Sequence, residues 1–333
     1  MLFKRVLRVI PALLVLAAMV LAACTPAATP IPTPTVELTQ AVVVPTSAPT
    51  AVPTPALIIL KDGLDREVKL AAPPQRILSL APSNTEILFA VGAGGQVVGR
   101  DDFSDYPEAA QAVTSIGSTF VKLNMEAIVA QKPDLVLVAE ITSAEQVKAL
   151  EKVGLTVYWL ANPEDFDGLY QNIIVVGQLT GHEADALKLA DQLKARVTAV
   201  AEKLKGVAAR PKVFYELDAT DPTKPFTAGT GTFIDTVIRL GGGDNVGAVI
   251  DDLYAPISSE ELVKQNPDII VLGDSAFGVT PEVVKQRAGW NAIAAVKNDQ
   301  IFGFDDNLAS RPGPRLVDGL EAMAKLLHPD LFK

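Results

Sequence analysis

Residues 123–138 read LNMEAIVAQKPDLVLV, and residues 257–272 repeat the same pattern as ISSEELVKQNPDIIVL. The two segments align without gaps, and each carries a Pro-Asp pair before an apolar run of four residues. Such a run after a Pro-Asp turn predicts a buried strand, and the part before the turn predicts a short helix. Asn124 and Ser258 stand where the N-caps of these helices would be. The repeat therefore predicts two lobes that share one helix–turn–strand unit.

A glutamate stands at the same position of both copies, as Glu126 and Glu260. Two explanations remain open for this pair. The positive end of a helix stabilises an acidic side chain in its first turn, so both residues could be structural. Alternatively, the two lobes are related by pseudo-symmetry, and each presents one glutamate to a partner that itself has twofold symmetry.

The chain from residue 57 to residue 333 alternates short β-rich runs with helical patterns. This alternation predicts an α/β fold with mostly parallel sheets, and the length suits two lobes rather than one. An antiparallel hairpin that turns at Asp62-Gly63 is predicted to come first. The apolar runs then predict strands at 76–80, 134–138, 155–160, 212–217, 268–272 and 300–304.

Two further helices are predicted outside the repeat. Ser83 and Glu86 have the spacing of a capping box, which predicts that a helix begins at Ser83. From His182 to Leu204, apolar residues recur at helical spacing without Gly or Pro. A helix of that length measures about 35 Å at about 1.5 Å per residue, which is enough to join two lobes as a stiff rod.

The N-terminus has the features of an export signal. Three basic residues precede or begin an apolar run from Val6 to Val20, and the segment ends in Leu-Ala-Ala before Cys24. A short apolar run of this kind is typical of a signal peptide, which predicts that residues 1–23 are removed. A cysteine directly after Leu-Ala-Ala resembles the bacterial lipobox and predicts a lipid on Cys24. An ordinary signal peptide with a chance cysteine is the alternative.

Residues 24–56 differ from the rest of the chain in composition. They are rich in Pro, Thr and Ala and nearly uncharged. Because proline fixes φ and lacks a backbone donor, this segment is predicted to be an extended tether rather than a domain. At about 3.1 Å per residue it could reach roughly 100 Å.

Composition excludes several classes of function. Cys24 is the only cysteine, so the chain can form neither an internal disulfide nor a CxxC motif. The formal net charge is −10, and the signal contributes only basic residues, so the remainder is more acidic still. An acidic chain is repelled by nucleic acid and by an anionic membrane surface. Nucleic-acid partners are therefore not expected.

Neither a metal-ion site nor a catalytic site is predicted. His182 and His328 are the only histidines, too few for a zinc or manganese receptor. The chain lacks a Gly-x-Ser-x-Gly motif, and its histidines are poorly placed for a triad. The acidic pairs 251–252 and 305–306 are interpreted as solvated turns.

Several longer stretches carry a family resemblance in order along residues 57–333. They are RILSLAPSNTEILFAVGAGGQVVG from Arg76, FSDYP from Phe103, the two repeat segments, PFTAGTGTFIDTVIRLGGGDNV from Pro225 and RPGPRLVDGLEAMAKLLHP from Arg311. Together they resemble the iron-siderophore and vitamin B12 substrate-binding proteins of ABC importers. The resemblance implies the class III periplasmic-binding-protein fold, in which two Rossmann-like α/β lobes are joined by a long rigid helix. The N-lobe would span about 57–180, the linking helix about 182–205 and the C-lobe about 211–333.

The resemblance also implies functional residues. In that family, one glutamate on each lobe engages arginines of a dimeric permease, and the matching positions here are Glu126 and Glu260. The ligand-binding positions fall on four aromatic residues and one arginine: Phe103, Phe120, Phe226, Tyr254 and Arg311. Ala139 stands where the B12 receptors carry a large aromatic residue, and Phe103 and Phe120 replace Tyr and Trp. These differences weaken the case for cobalamin in particular.

The sequence thus predicts a monomeric extracytoplasmic protein held to a cell membrane by a lipid on Cys24. It is expected to have no resident cofactor, to capture a cobalt corrinoid or a ferric siderophore, and to deliver this chelate to an ABC permease. Two alternatives remain: a haem receptor with the same fold, and a scaffold or adhesive lipoprotein without a transport role.

Overall fold

The computed structural model describes residues 57–119 and 122–333. The predicted signal peptide, Cys24 and the tether lie outside these residues, as does Phe120. Within the described residues, no helix is both long and apolar enough to cross a membrane.

The N-lobe opens with the predicted hairpin and continues with a parallel sheet. Strands β1 and β2 pair antiparallel, and the sheet that follows has the strand order β4-β3-β5-β6. Its elements are β1 (Ile58–Lys61), β2 (Glu67–Leu70), β3 (Ile77–Ser79), α1 (Pro82–Ala90), β4 (Val97–Arg100), α2 (Met125–Ala130), β5 (Leu135–Ala139), α3 (Ala144–Lys152) and β6 (Val157–Leu160).

Two long helices follow the N-lobe sheet: α4 (Phe166–Thr180) and α5 (Glu183–Leu204). The latter is the predicted long helix, and its 22 residues span about 33 Å at about 1.5 Å per residue. The sequence analysis did not assign α4. The two helices pack closely because Gly177 has no side chain: a Cβ there would lie 2.3 Å from the Cβ of Ala186. Gly181, in the left-handed region, ends α4.

The C-lobe contains a second parallel sheet with the strand order β12-β11-β7-β9, and β8 and β10 form a separate antiparallel pair. Its elements are β7 (Lys212–Glu216), β8 (Phe226–Ala228), α6 (Phe233–Leu240), β9 (Asp244–Asn245), β10 (Tyr254–Pro256), α7 (Ser259–Gln265), β11 (Ile269–Leu272), α8 (Pro281–Lys285), α9 (Ala294–Lys297), β12 (Ile301–Gly303), α10 (Asn307–Ser310) and α11 (Leu316–Leu327). Two four-stranded parallel sheets with helices confirm the predicted α/β class.

The internal repeat is confirmed in detail. Asn124 accepts a hydrogen bond from the N–H of the third residue of α2, and Ser258 does the same in α7. At the matching turn positions, Lys132 and Asn266 have φ values of 48° and 51°. The aspartate of each Pro-Asp pair then accepts a hydrogen bond from a backbone N–H next to a parallel strand. The donor is Arg76, just before β3, at 2.9 Å in the N-lobe, and Lys212, the first residue of β7, at 2.8 Å in the C-lobe.

The lobes share a hydrophobic core. One cluster of buried side chains runs from the N-lobe sheet through α4 and α5 to the C-lobe sheet. Two smaller clusters, one in each lobe, cover the opposite face of that lobe's sheet. Alternate residues of β5 enter different clusters, since Leu135 and Leu137 face the shared core and Val136 and Val138 face away from it. A shared core of this kind couples the lobes as a single packed body.

The capping-box prediction for Ser83 and Glu86 is wrong. Helix α1 is capped by Ala81 without a side-chain hydrogen bond, and both Ser83 and Glu86 lie inside the helix and are buried. Glu86 instead forms an ion pair with Arg315 in the C-lobe. A partner that is distant in sequence therefore overrides the local capping pattern.

The C-lobe buries two carboxylates, Glu216 and Asp274, close to a single arginine, Arg287. Glu216 is paired with Arg287, which also stacks over the Trp290 ring at 4.5 Å. Asp274 lies nearby and is 4% exposed. Burial and the negative charge of Glu216 raise the pKa of Asp274 to about 7.

This raised pKa predicts a pH-dependent stability. Between about pH 4 and pH 7, the folded protein holds a proton on Asp274 that the unfolded chain releases, so the free energy of unfolding falls as pH rises. We expect Asp274→Asn to be more stable than the wild type at pH 8, by at most roughly 4 kcal/mol, and to converge with it near pH 4.

Urea unfolding at pH 4, 6 and 8 measures this difference, with the exposed Asp251→Asn as the control. A difference between Asp274→Asn and the wild type that stays constant across these pH values would contradict the assignment.

Candidate functional site

A cleft of about 390 Å³ lies between the lobes. It forms at the carboxyl ends of the parallel strands, where ligands commonly bind in α/β proteins. Ala139 is the last residue of β5, and Asp306 follows β12. The lining residues are Ala81, Pro82, Ser83, Phe103, Ala139, Ile141, Asn162, Phe233, Tyr254, Asp306, Asn307, Ser310, Arg311 and Pro312.

The cleft wall is mainly apolar and carries aromatic rings from both lobes. Phe103 comes from the N-lobe and Tyr254 from the C-lobe, and they are 44% and 48% exposed. Apolar walls with a few placed polar groups are typical of small-molecule sites, and aromatic faces suit flat ligands. Burial and the charge of Asp306 raise the pKa of Tyr254, so its phenol is neutral at physiological pH.

Arg311 reaches the cleft from the C-lobe, but N-lobe carboxylates already approach its guanidinium. Its Nη1 lies 2.6 Å from the Oδ1 of Asp105 and 3.7 Å from the Oε1 of Glu86. The arginine side chain is 15% exposed, whereas that of Asp105 is 54% exposed. The positive charge on this side of the cleft is thus balanced within the protein.

A bidentate ion pair beside the cleft ties the two lobes together. Arg315 donates from Nε and Nη2 to the two carboxylate oxygens of Glu86, at 3.0 and 2.6 Å. The Tyr106 ring covers the same guanidinium at 3.9 Å. Burial raises the pKa of Glu86, and the charges and hydrogen bonds of Arg315 and Arg311 oppose that rise.

Asp306 is the acidic group that the sequence analysis missed. It was interpreted as part of a solvated turn, but it is half-buried and lines the cleft, so that interpretation is wrong. The Tyr215 hydroxyl donates to it at 2.9 Å. Burial and the neighbouring Asp305 raise its pKa. The sequence did offer one indication of its role, because Asp306 comes just after a predicted strand. Residues at the carboxyl ends of parallel strands lie at the edge of the sheet where ligands bind.

The structure brings together three of the predicted ligand-binding residues. Phe103, Tyr254 and Arg311 all line the cleft. Phe226 lies on β8, is 45% exposed and does not belong to the cleft lining. Phe120 lies outside the described residues. Further lining residues that the sequence analysis did not assign to a ligand site are Ser83, Ile141, Asn162, Phe233, Asn307 and Ser310.

The two repeated glutamates are exposed at equivalent places. Glu126 is the second residue of α2, and Glu260 is the second residue of α7. Neither lines the cleft. Their side chains are thus available on the surface of each lobe, and a role in permease docking stays a prediction.

Two parallel-sheet lobes, a shared core and an aromatic cleft between them define a two-lobed ligand-binding protein. The chain belongs to the periplasmic binding protein family, whose model matches residues 77–308. It is a substrate-binding protein of the kind that serves ABC importers.

Several known proteins are similar to this chain. The ABC transporter substrate-binding lipoprotein YvrC of Bacillus subtilis is 32% identical over 279 residues, which cover 83% of this chain and 87% of YvrC. The cobalamin-binding protein of Halobacterium salinarum is 30% identical, over 80% of this chain and 73% of its own length. The periplasmic heme-binding protein RhuT of Roseiflexus has a TM-score of 0.70 and 27% identity, covering 78% of this chain and 99% of RhuT.

The ion pair between the lobes generates a stability prediction. Glu86→Gln removes the buried charge that two half-buried guanidiniums share, and breaking a buried pair typically costs about 3–5 kcal/mol. We expect the free energy of unfolding to fall by about this amount, as measured by urea denaturation.

The matched control is Asp65→Asn, which breaks the exposed i,i+4 pair with Lys61. Asp65 has a φ of 62°, a conformation that asparagine tolerates. Exposed pairs contribute little, so its stability should change little. Equal losses in the two variants would show that the lobe-joining pair has no special role.

Proposed function

We propose that this chain captures a corrinoid with amide side chains and delivers it to an ABC permease, without catalysing a reaction. The observation that carries the proposal is the charge balance of the cleft. Arg311 is already paired with Asp105, whereas the Asp306 carboxylate faces the cleft as a hydrogen-bond acceptor. Such a cleft favours a ligand that donates N–H groups over one that brings carboxylates.

Corrinoids fit this cleft chemically. Their flat ring suits the faces of Phe103 and Tyr254, and their peripheral amides can donate hydrogen bonds to Asp306. Arg311 remains a candidate for contact with ligand amide oxygens, as the family resemblance implies. The similarity to a cobalamin-binding protein supports the same ligand class.

Haem is the second candidate, because the chain is similar to a heme-binding protein and Tyr254 lies in the cleft. Two observations disfavour it. Haem carries two propionate carboxylates, and the cleft has the Asp306 carboxylate and an Arg311 that is already paired with Asp105. Among the described lining residues there is no His, Met or Cys to ligate iron, and the raised pKa of Tyr254 opposes its phenolate form.

Equilibrium titration of the purified chain tests the ligand. We expect saturable binding of cyanocobalamin with a lower Kd than that of ferric haem. Asp306→Asn should weaken cyanocobalamin binding by about tenfold to a hundredfold, since hydrogen bonds to charged groups contribute about 1.5–3 kcal/mol.

Asp251→Asn is the matched control, because Asp251 is exposed and does not line the cleft. If cyanocobalamin fails to bind while a ferric siderophore or haem binds saturably, the corrinoid assignment is wrong. If none of the three binds, the scaffold alternative is favoured.

The exposed glutamates support a docking proposal. Glu126 and Glu260 occupy equivalent positions on the two lobes, as contact with basic side chains of a dimeric permease would require. The lipid on Cys24 and the tether would hold the receptor, as a monomer, at the outer side of a cell membrane. Similarity to a substrate-binding lipoprotein supports this placement.

The double variant Glu126→Ala/Glu260→Ala tests docking. We expect it to abolish ligand uptake by cells while leaving ligand affinity unchanged, because neither side chain lines the cleft. The free energy of unfolding should fall only by the helix-dipole contribution, about 0.3–1 kcal/mol for each glutamate.

The chain offers a matched control. Glu145 and Glu282 also stand second in a helix, one on each lobe, and both are exposed. Glu145→Ala/Glu282→Ala therefore removes the same helix-dipole interaction and should retain uptake. Uptake that persists in the Glu126/Glu260 variant would exclude the docking role.

A further inference from the structure

The contact between Asp105 and Arg311 joins one lobe to the other beside the cleft. Asp105 belongs to the N-lobe segment 101–107, and Arg311 directly follows α10 of the C-lobe. The Oδ1 of Asp105 lies 2.6 Å from Nη1 of Arg311, closer than the 3.7 Å of Glu86. Asp105 is thus the nearer of the two carboxylate partners of Arg311.

Glu86 is committed elsewhere. Its two oxygens accept the bidentate hydrogen bonds of Arg315, so its contact with Arg311 is the longer and secondary one. The fold therefore has its lobe-joining pair without Asp105. Asp105, a half-exposed carboxylate on Arg311, is therefore not needed to join the lobes, and its role must be a different one.

The segment that carries Asp105 is anchored on both sides. Asp101 is fully buried and accepts a hydrogen bond from the backbone N–H of Phe103 at 2.9 Å, and it also contacts the Ser104 hydroxyl. On the other side, the Tyr106 ring stacks on Arg315 at 3.9 Å. Asp105 is therefore held against Arg311 by its own backbone.

The charge of Asp105 persists at neutral pH. Partial burial alone would raise its pKa, but the hydrogen bond and positive charge of Arg311 lower the pKa below its ordinary value. An ionised carboxylate thus lies against Arg311, which is the one arginine among the described lining residues of the cleft.

We propose that Asp105 is a specificity-determining residue, which takes the place on Arg311 that a ligand carboxylate would occupy and so selects against carboxylate-bearing macrocycles. The proposal rests on the proposed function as a macrocycle receptor. It assigns the discrimination between ligand classes to one residue outside the cleft lining.

The physical basis is competition for one cation. A ligand carboxylate must either displace Asp105 from Arg311 or share the guanidinium with it, and two like charges a few ångströms apart repel. Displacement also leaves Asp105 without its cation while its segment stays anchored. A ligand that carries amides makes no such demand, since a neutral amide oxygen can approach Arg311 without repelling the Asp105 carboxylate. Specificity then arises from a repulsive element as well as an attractive one.

Matched ligand pairs test this role in the full chain. Cobinamide and cobyrinic acid share one corrin ring, with amides in the first and carboxylates in the second. Ferric haem and its dimethyl ester form an equivalent pair. Asp105→Asn should raise the affinity for cobyrinic acid and ferric haem by roughly tenfold to a hundredfold, as expected for a freed charged hydrogen bond. The affinities for cobinamide and the haem ester should change by less than about threefold.

Glu108→Gln is the control, because it removes the same charge from the neighbouring exposed turn without touching the cleft. It should leave all four affinities unchanged. Asp105→Ala serves as a second variant, and urea unfolding of each variant verifies that the fold is retained.

Three results would overturn the assignment. The first is that Asp105→Asn binds the carboxylate macrocycles no more tightly than the wild type does, or does not bind them detectably. The second is an equal gain in Glu108→Gln, which would indicate a general charge effect. The third is an equal gain for the amide and ester ligands. A wild type that does not bind cobinamide would instead contradict the corrinoid proposal, and the haem pair would still decide the role of Asp105.

Discussion

The ion pair between Glu86 and Arg315 is the interaction on which the arrangement of the lobes depends. It places a carboxylate that is 2% exposed against a guanidinium that is 14% exposed, across the junction between N-lobe and C-lobe. Removing both charges from water is costly, and the bidentate geometry, the contact with Arg311 and the Tyr106 ring offset that cost. Because the Glu86 carboxylate is buried, it cannot lose this partner without a large cost, and the pair tolerates little separation of the lobes. The shared core along α4 and α5 acts in the same direction.

The same group of charges determines the chemistry of the cleft. Two arginines meet Glu86 and Asp105, so their positive charge is balanced inside the protein. Asp306 adds a carboxylate whose hydrogen-bonding partners are the neutral side chains of Tyr215 and Ser310. The site is consequently apolar and acidic rather than basic, although an arginine lines it. The presence of an arginine in a cleft is therefore not sufficient to infer an anionic ligand, since its partners within the protein decide how much charge it offers.

Local patterns predicted much of the architecture, and long-range contacts explain where they failed. The N-caps Asn124 and Ser258, the Pro-Asp turns and the apolar runs specified both repeat units, because each signal acts over a few neighbouring residues. Glu86 carries an equally good local pattern, yet it pairs with a residue 229 positions away. Asp306 was misassigned for a related reason. An acidic pair after a strand is the same in sequence whether it faces water or a cleft.

The sequence by itself determined the α/β class, the repeated unit with its two glutamates and the long helix, since periodicity, capping and composition are local properties. It also placed Phe103, Tyr254 and Arg311 among the ligand-binding candidates through a family resemblance. Only the tertiary structure decided which charges remain free, because Asp105, Glu86, Arg311 and Arg315 are far apart in the chain and meet where the lobes pack. Charge neutralisation depends on distances between atoms, and those distances exist only after the lobes have folded together.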